Sequence, residues 1–161
     1  MATLPSLGRR GEGWVILQVA ALGAVVIAGR FLAGPRTGQV HTVAFVLGFA
    51  VMVAGAVLAT FAIAELRRSD AFTAVPRPRS EGHLVETGPY RYVRHPVYSG
   101  MLLGALGWAV ARLSWPAIVA TVVLAVVLDL KRRREEAWLV DRYDGYAAYR
   151  QRTRALIPLL Y

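Results

Sequence analysis

Four apolar stretches divide the chain: residues 14–32, 42–64, 97–111 and 114–128, which between them hold a single charged side chain, Arg30. The second runs 23 residues without a charge, long enough to cross a hydrocarbon core of about 30 Å as a helix. The first follows Arg9 and Arg10; in isolation it could be read as the apolar core of a signal peptide, and it is read here as a retained helix. Only Arg112 and Leu113 separate the third stretch from the fourth, with Trp115 and Pro116 just beyond, which predicts a tight helical hairpin. Gly100, Gly104 and Gly107 fall on nearly one face of the third helix and permit close approach of a neighbour. Residues 131–150 predict a further helix that sets Ala137, Trp138, Tyr143, Tyr146 and Tyr149 among many charges. It would lie in the membrane interface or cap the bundle, and Pro158 would stop it. The expected fold is therefore all-α: an integral membrane helical bundle of four transmembrane helices plus a C-terminal cytosolic or interfacial helix. It forms one membrane domain over 1–161, with an N-terminal helical pair (14–66) and a C-terminal half (82–158) that carries the chemistry.

Composition supports the membrane. A 161-residue chain that is 56% hydrophobic, with mean hydropathy +0.44, has more apolar surface than a soluble domain of this size can hide. Of the 19 Lys and Arg residues, only Arg30, Arg36 and Arg112 lie outside the leader, the central loop and the segment from Lys131 onward. The positive-inside rule then puts both termini, the central loop and the active face on the cytoplasmic side. A net charge of +9 would suit nucleic acid, but cations placed beside apolar runs favour anionic lipid headgroups instead, and no nucleic acid is expected as a partner. The absence of cysteine excludes disulfides, thiolate nucleophiles and Cys-ligated metals. Neither His41 nor His83 has metal-ligand spacing around it, so no metal is expected. Ser99 and Ser114 lack a nucleophile signature.

The polar chemistry concentrates at the mouth of the third stretch. Pro96 suits a first helical turn, which leaves Arg94 and His95 at the helix entrance. Tyr90, Tyr92 and Tyr98 surround them, and Gly88-Pro89 signals a turn. Rings, cations and a helix N-terminus suit a ligand with a flat ring and a carboxylate; the plainer account makes Arg94 an interfacial anchor and His95 a polar cap. The run from Lys131 to Glu136 carries the second cluster. Lys131 and Glu135 have the spacing of an exposed i,i+4 ion pair, as do Asp129 and Arg133, and Glu65 is placed to pair with Arg68. Glu135 could instead bind ribose hydroxyls or an ammonium group.

Taken together, His83-Leu84-Val85, Gly88-x-Tyr90, Arg94-His95-Pro96-x-Tyr98-x-Gly100, Glu135-Glu136 and Tyr146-x-x-Tyr149 resemble the isoprenylcysteine carboxyl methyltransferase family. That family sits within a wider group of membrane methyltransferases that includes phospholipid N-methyltransferases. The resemblance covers about half the chain, from Gly82 to Pro158. It implies a small helical membrane enzyme that binds S-adenosyl-L-methionine in its C-terminal half and takes a lipophilic acceptor sideways from the lipid. On the same resemblance, His83, Leu84 and Val85, then Tyr90, then His95, Pro96, Val97 and Tyr98, and finally Glu135 surround the cofactor. Lys131 stands at a position associated with substrate, where the family usually has arginine and where Arg132 and Arg134 follow closely. Arg94 is expected to hold an anionic acceptor or the cofactor's carboxylate.

The acceptor expected first is a carboxylate of isoprenylcysteine type. A phospholipid amine or a hydrophobic thiol are the alternatives within the same chemistry. From a different class, a non-catalytic membrane scaffold or small-ligand carrier would need none of Tyr90, His95, Tyr98 and Glu135.

Overall fold

A computed structural model describes residues 5–35, 37–71, 73, 75–77 and 83–156; Gly82 and Pro158 lie outside them. Among the described residues the regular elements are helices, joined by turns and loops, with an isolated parallel bridge between Val93 and Arg154. Helix α1 spans Glu12–Phe31 and α2 Gln39–Arg68. A short 3₁₀ turn, Gly88–Arg91, leads into α3, Pro96–Ala111. Helix α4 runs Trp115–Arg142 and α5 Tyr146–Arg152.

The helix ends follow local chemistry. Glu12 sits in the first turn of α1, where its carboxylate accepts the Arg10 N–H at 3.0 Å and meets the positive end of the helix dipole. Pro96 opens α3, where its missing amide hydrogen costs nothing. Ser114 caps α4 by accepting the Ala117 N–H at 3.3 Å. The same hydroxyl donates to the carbonyls of Leu32 at 2.8 Å and Ala28 at 3.2 Å, which fastens the predicted hairpin to the end of α1. Leu113, with φ +46°, completes that turn.

Residues 131–150 do not form a helix of their own. Helix α4 continues unbroken from the fourth apolar stretch to Arg142, 28 residues in all, or about 42 Å at 1.5 Å per residue. Charge marks where a helix leaves a membrane, but only Gly, Pro or a competing cap ends it, and the first such residue after Pro116 is Gly145. Among the described residues two helices, α1 and α2, are long and apolar enough to cross a membrane. Helix α3 has 16 residues, and the apolar part of α4 meets Asp129 and Lys131 within its span.

Helix α2 packs along α3, while α1 packs on α4 and α3. The α2–α3 seam is made by glycines: a Cβ on Gly55 would lie 2.6 Å from the Gly100 carbonyl oxygen, and one on Gly107 would lie 2.5 Å from that of Gly48. Gly104 belongs to the same stripe in sequence, yet a Cβ there meets nothing within 4 Å. Gly55→Ala is accordingly expected to lower the stability of the detergent-solubilised protein by about 1–3 kcal/mol. Gly104→Ala should change it by less than about 0.5 kcal/mol; thermal unfolding of the two variants side by side checks both. On the other side of α3, Ala21, Val25, Tyr98, Leu124 and Leu128 form the main core together with Ala155 and Leu156 from beyond α5.

Candidate functional site

The site is assembled where the entrance of α3 meets the charged extension of α4. Gly88, at φ +58°, supplies the left-handed residue that starts the 3₁₀ turn. The turn presents Tyr90 inward, and the Tyr90 carbonyl accepts a 2.6 Å hydrogen bond from the Tyr149 hydroxyl on α5. A strap of chain after α5 then runs beside the α3 entrance. Arg94 N–H donates to the Arg154 carbonyl at 2.8 Å and His95 N–H to that of Ala155 at 3.1 Å, while Arg154 N–H donates to the Tyr92 carbonyl at 3.2 Å. The Ser99 hydroxyl adds a bond to the Leu156 carbonyl at 2.5 Å.

Behind this entrance lies a buried ion cluster centred on Glu136. Its Oε1 accepts from Arg94 Nε at 3.0 Å, lies 3.1 Å from His95 Nε2 and 3.6 Å from Arg132 Nη1. Burial alone would raise the Glu136 carboxyl, but His95 and Arg94 together hold it down at about 2, from an ordinary 4.5. Arg94 Nη1 reaches the strap and α5, at 2.5 Å to the Thr153 carbonyl and 3.1 Å to that of Arg150. Its guanidinium is thus committed on both sides.

In front of the cluster is a cavity of about 250 Å³, with contributions from α1, α2, α3, α4 and α5. Of the eleven residues expected from sequence, His83, Leu84, Val85, Tyr90, Arg94, His95, Val97, Tyr98, Lys131 and Glu135 line it. Pro96 does not, being buried as the first residue of α3. Glu135 and Glu136, adjacent in sequence, point about 100° apart around α4 and part company. Glu136 enters the ion cluster, whereas Glu135 Oε2 accepts the Tyr98 hydroxyl at 2.7 Å. The His95 and Tyr98 rings stack at 5.3 Å with 8° between planes, and His95 Nδ1 lies 3.8 Å from Glu135 Oε2. Burial pushes the Tyr90 and Tyr146 hydroxyls well above the usual tyrosine range, and the nearby carboxylates push the same way. Both therefore stay protonated donors.

Lys131 does not form the i,i+4 pair with Glu135 that its spacing suggests. Its ammonium turns instead to Gln18 of α1, donating to Oε1 at 2.6 Å, and sits 5.1 Å from the centre of the Tyr98 ring. Burial lowers the lysine's pKa, and the Glu135 charge partly offsets that. The neighbouring arginines go elsewhere: Arg132 to Asp129 at 2.6 Å and to Glu136, Arg133 to Asp129 at 2.7 Å, and Arg134 over the Trp138 ring. Of this basic run, only Lys131 lines the cavity. The expected pair of Glu65 with Arg68 is present at 3.7 Å.

Gln18 is the residue that sequence reasoning passed over. It is the one amide side chain in α1, buried in an otherwise apolar helix, and a polar residue in such a place is a functional candidate by default. Tyr143, Tyr146 and Tyr149, expected as the apolar face of an interfacial helix, line the cavity as well. Tyr146 is almost fully buried and its hydroxyl has no hydrogen-bond partner among the described residues.

This donor set fits a sulfonium nucleoside. Aromatic faces suit a cationic sulfur and an adenine ring, the Glu135 carboxylate suits ribose hydroxyls or an ammonium group, and the orphaned Tyr146 hydroxyl offers a donor. The chain is similar to several known proteins. The protein-S-isoprenylcysteine O-methyltransferase of Schizosaccharomyces pombe is 36% identical over 92 residues, 53% of this chain and 38% of the relative. The protein-S-isoprenylcysteine O-methyltransferase B of Arabidopsis thaliana is 30% identical over 117 residues, covering 70% and 58%. The cobalt-zinc-cadmium resistance protein CzcN of Cupriavidus metallidurans is 37% identical over 84 residues, covering 51% and 38%. The chain thus spans less than two thirds of the length of these curated relatives. No solved structure matches it. The phospholipid methyltransferase family matches residues 43–145, a stretch holding most of α2, all of α3 and α4 and all eleven expected site residues; the chain belongs to that family.

Proposed function

We propose that this protein is a membrane methyltransferase that uses S-adenosyl-L-methionine and acts on a lipophilic carboxylate of the isoprenylcysteine type. Helices α3 and α4 complete a four-helix membrane bundle in this reading, with the cavity at the cytoplasmic surface where the arginines gather. The observation that carries the proposal is the cavity itself: it joins the Arg94-to-Tyr98 segment, Glu135 and the buried ammonium of Lys131 around one space, which a scaffold would have no reason to do.

Held in this cavity, S-adenosyl-L-methionine would supply a methyl group on a cationic sulfur for in-line transfer to a carboxylate oxygen, leaving as neutral S-adenosylhomocysteine. No proton is transferred, so the site needs positioning rather than an acid or base. Glu135, held by the Tyr98 hydroxyl, marks the cofactor side, together with His83, Leu84, Val85, Tyr90, His95 and Val97. Pro96 sets the start of α3. Lys131 faces the acceptor and draws an anionic headgroup towards it. Arg94, locked to Glu136 and the strap, holds the wall between the two sides. Ile63, Leu66 and Val15 give the cavity an apolar flank for a lipid tail.

The family description favours a second reading, methylation of a phospholipid amine; the ammonium of Lys131 argues against it, because a protonated amine would meet a like charge. Isothermal titration of the detergent-solubilised protein tests the cofactor: binding of S-adenosyl-L-methionine at a Kd of about 1 µM (about −8 kcal/mol) is expected, weakened at least tenfold in Glu135→Ala. Absence of binding, with and without a prenylcysteine analogue, would overturn the proposal. Methyl transfer to phosphatidylethanolamine in preference to prenylcysteine would establish the second reading.

A further inference from the structure

We infer that Gln18, on the first membrane helix and outside the residues matched by the family, is a positioning residue for the acceptor: it aims the Lys131 ammonium into the cavity. This rests on the functional reading above and extends it to α1.

The geometry shows how. Gln18 is held at both ends of its amide, with Oε1 accepting from Lys131 Nζ at 2.6 Å and Nε2 donating to Met101 Sδ on α3 at 3.3 Å. The amide plane is therefore fixed between two helices before any ligand arrives. A lysine ammonium has three donors on a flexible stem, unlike the self-orienting planar fork of arginine. Its bond to Gln18 uses one of them and fixes the direction of the others. Lys131 is also the only lysine in the sequence, against 18 arginines, and with 2% of its surface exposed it is the most deeply buried of the charged residues among those described. Arg132, Arg133 and Arg134, next to it, take partners away from the cavity. A cation needed only for topology would do as they do.

The groups facing the ammonium come from three elements: Gln18 from α1, the Tyr98 ring from α3 and Glu135 from α4 itself. Tyr98 in turn donates to Glu135. Gln18 thus begins a chain of contacts that crosses from the acceptor side to the cofactor side. Placing a polar amide in an apolar helix is costly, and the contact it makes across 113 residues of sequence gives it a reason to be there.

Two variants of the full chain in detergent, Gln18→Leu and Gln18→Glu, test the inference with a prenylcysteine analogue as acceptor. Gln18→Leu is expected to raise the acceptor KM about tenfold with kcat within threefold of wild type and S-adenosyl-L-methionine affinity within twofold. Gln18→Glu, which places a carboxylate against the ammonium, should raise KM further. The alkaline limb of kcat/KM should move to lower pH in the first and to higher pH in the second, because the leucine removes a bond that favours charged lysine and the glutamate strengthens it. Unchanged KM in both, or an equal fall of kcat, acceptor KM and cofactor affinity, would overturn the positioning role. If the wild type methylates no acceptor, the functional reading fails by itself, and the single resonance of ε-¹⁵N-lysine then decides on Gln18. A resonance that moves and titrates at lower pH in Gln18→Leu, and that loses its response to the prenylcysteine analogue, supports the inference. An unmoved resonance overturns it.

Discussion

Glu136→Ala is expected to cost about 3–5 kcal/mol of stability, the loss typical when one member of a buried ionic group is removed and the others stay behind. Arg94, His95 and Arg132 all turn to this one carboxylate, and the two arginines, with side chains about as buried as the carboxylate itself, would be left without it in a space that cannot hydrate them. The neighbouring Glu135→Ala should leave the fold close to wild type, because the hydrogen bond it accepts comes from the neutral Tyr98 hydroxyl. Thermal unfolding in detergent therefore separates two adjacent acids, one structural and one facing the cavity. The wild type should show the same dependence on titration. Because the Glu136 carboxyl is held at about 2 instead of 4.5, its contribution is complete above about pH 4.5 and declines as the pH falls towards 2. Tryptophan fluorescence across that window should report a loosening absent between pH 5 and 7.

Lys131→Ala is expected to lower kcat/KM for a carboxylate acceptor by about 100-fold, within the 2–5 kcal/mol range found when one partner of a buried charged contact is removed. Affinity for S-adenosyl-L-methionine should change by less than about threefold, since the proposed reading gives the cofactor to Glu135, His95 and Tyr98 rather than to the ammonium. Steady-state kinetics with the acceptor varied, set beside titration of the cofactor, gives both numbers. A loss shared equally between acceptor and cofactor would show that Lys131 serves the whole cavity and not the acceptor alone.

Sequence carried the local parts of this arrangement and missed the distant ones. The Gly88-to-Gly100 segment announced itself because its turn, cap and helix start are written in consecutive residues, and the space between them is where the cavity lies. The four apolar stretches gave the helices for the same reason. The continuity of α4 was misread because a change from apolar to charged side chains alters what surrounds a helix without altering its backbone. The i,i+4 spacing of Lys131 points to Glu135, the carboxylate one turn along its own helix, whereas the fold brings Gln18 to it from α1. Glu136 was seen only as a companion of Glu135; the turn of the helix that sends the two acids in different directions has no signature in their order.

The strap that follows α5 has a consequence for assembly. During synthesis α1 and α2 can enter the bilayer as they emerge, and α3 can seat against α2 through their glycines while the rest of the chain is still being made. The carbonyls of Thr153, Arg154 and Ala155, which receive Arg94 and His95, emerge only after α1 to α5 have been translated. Insertion and completion of the site are thus separate events, and a nascent chain already threaded through the membrane has no finished cavity until its tail folds back over the doorway.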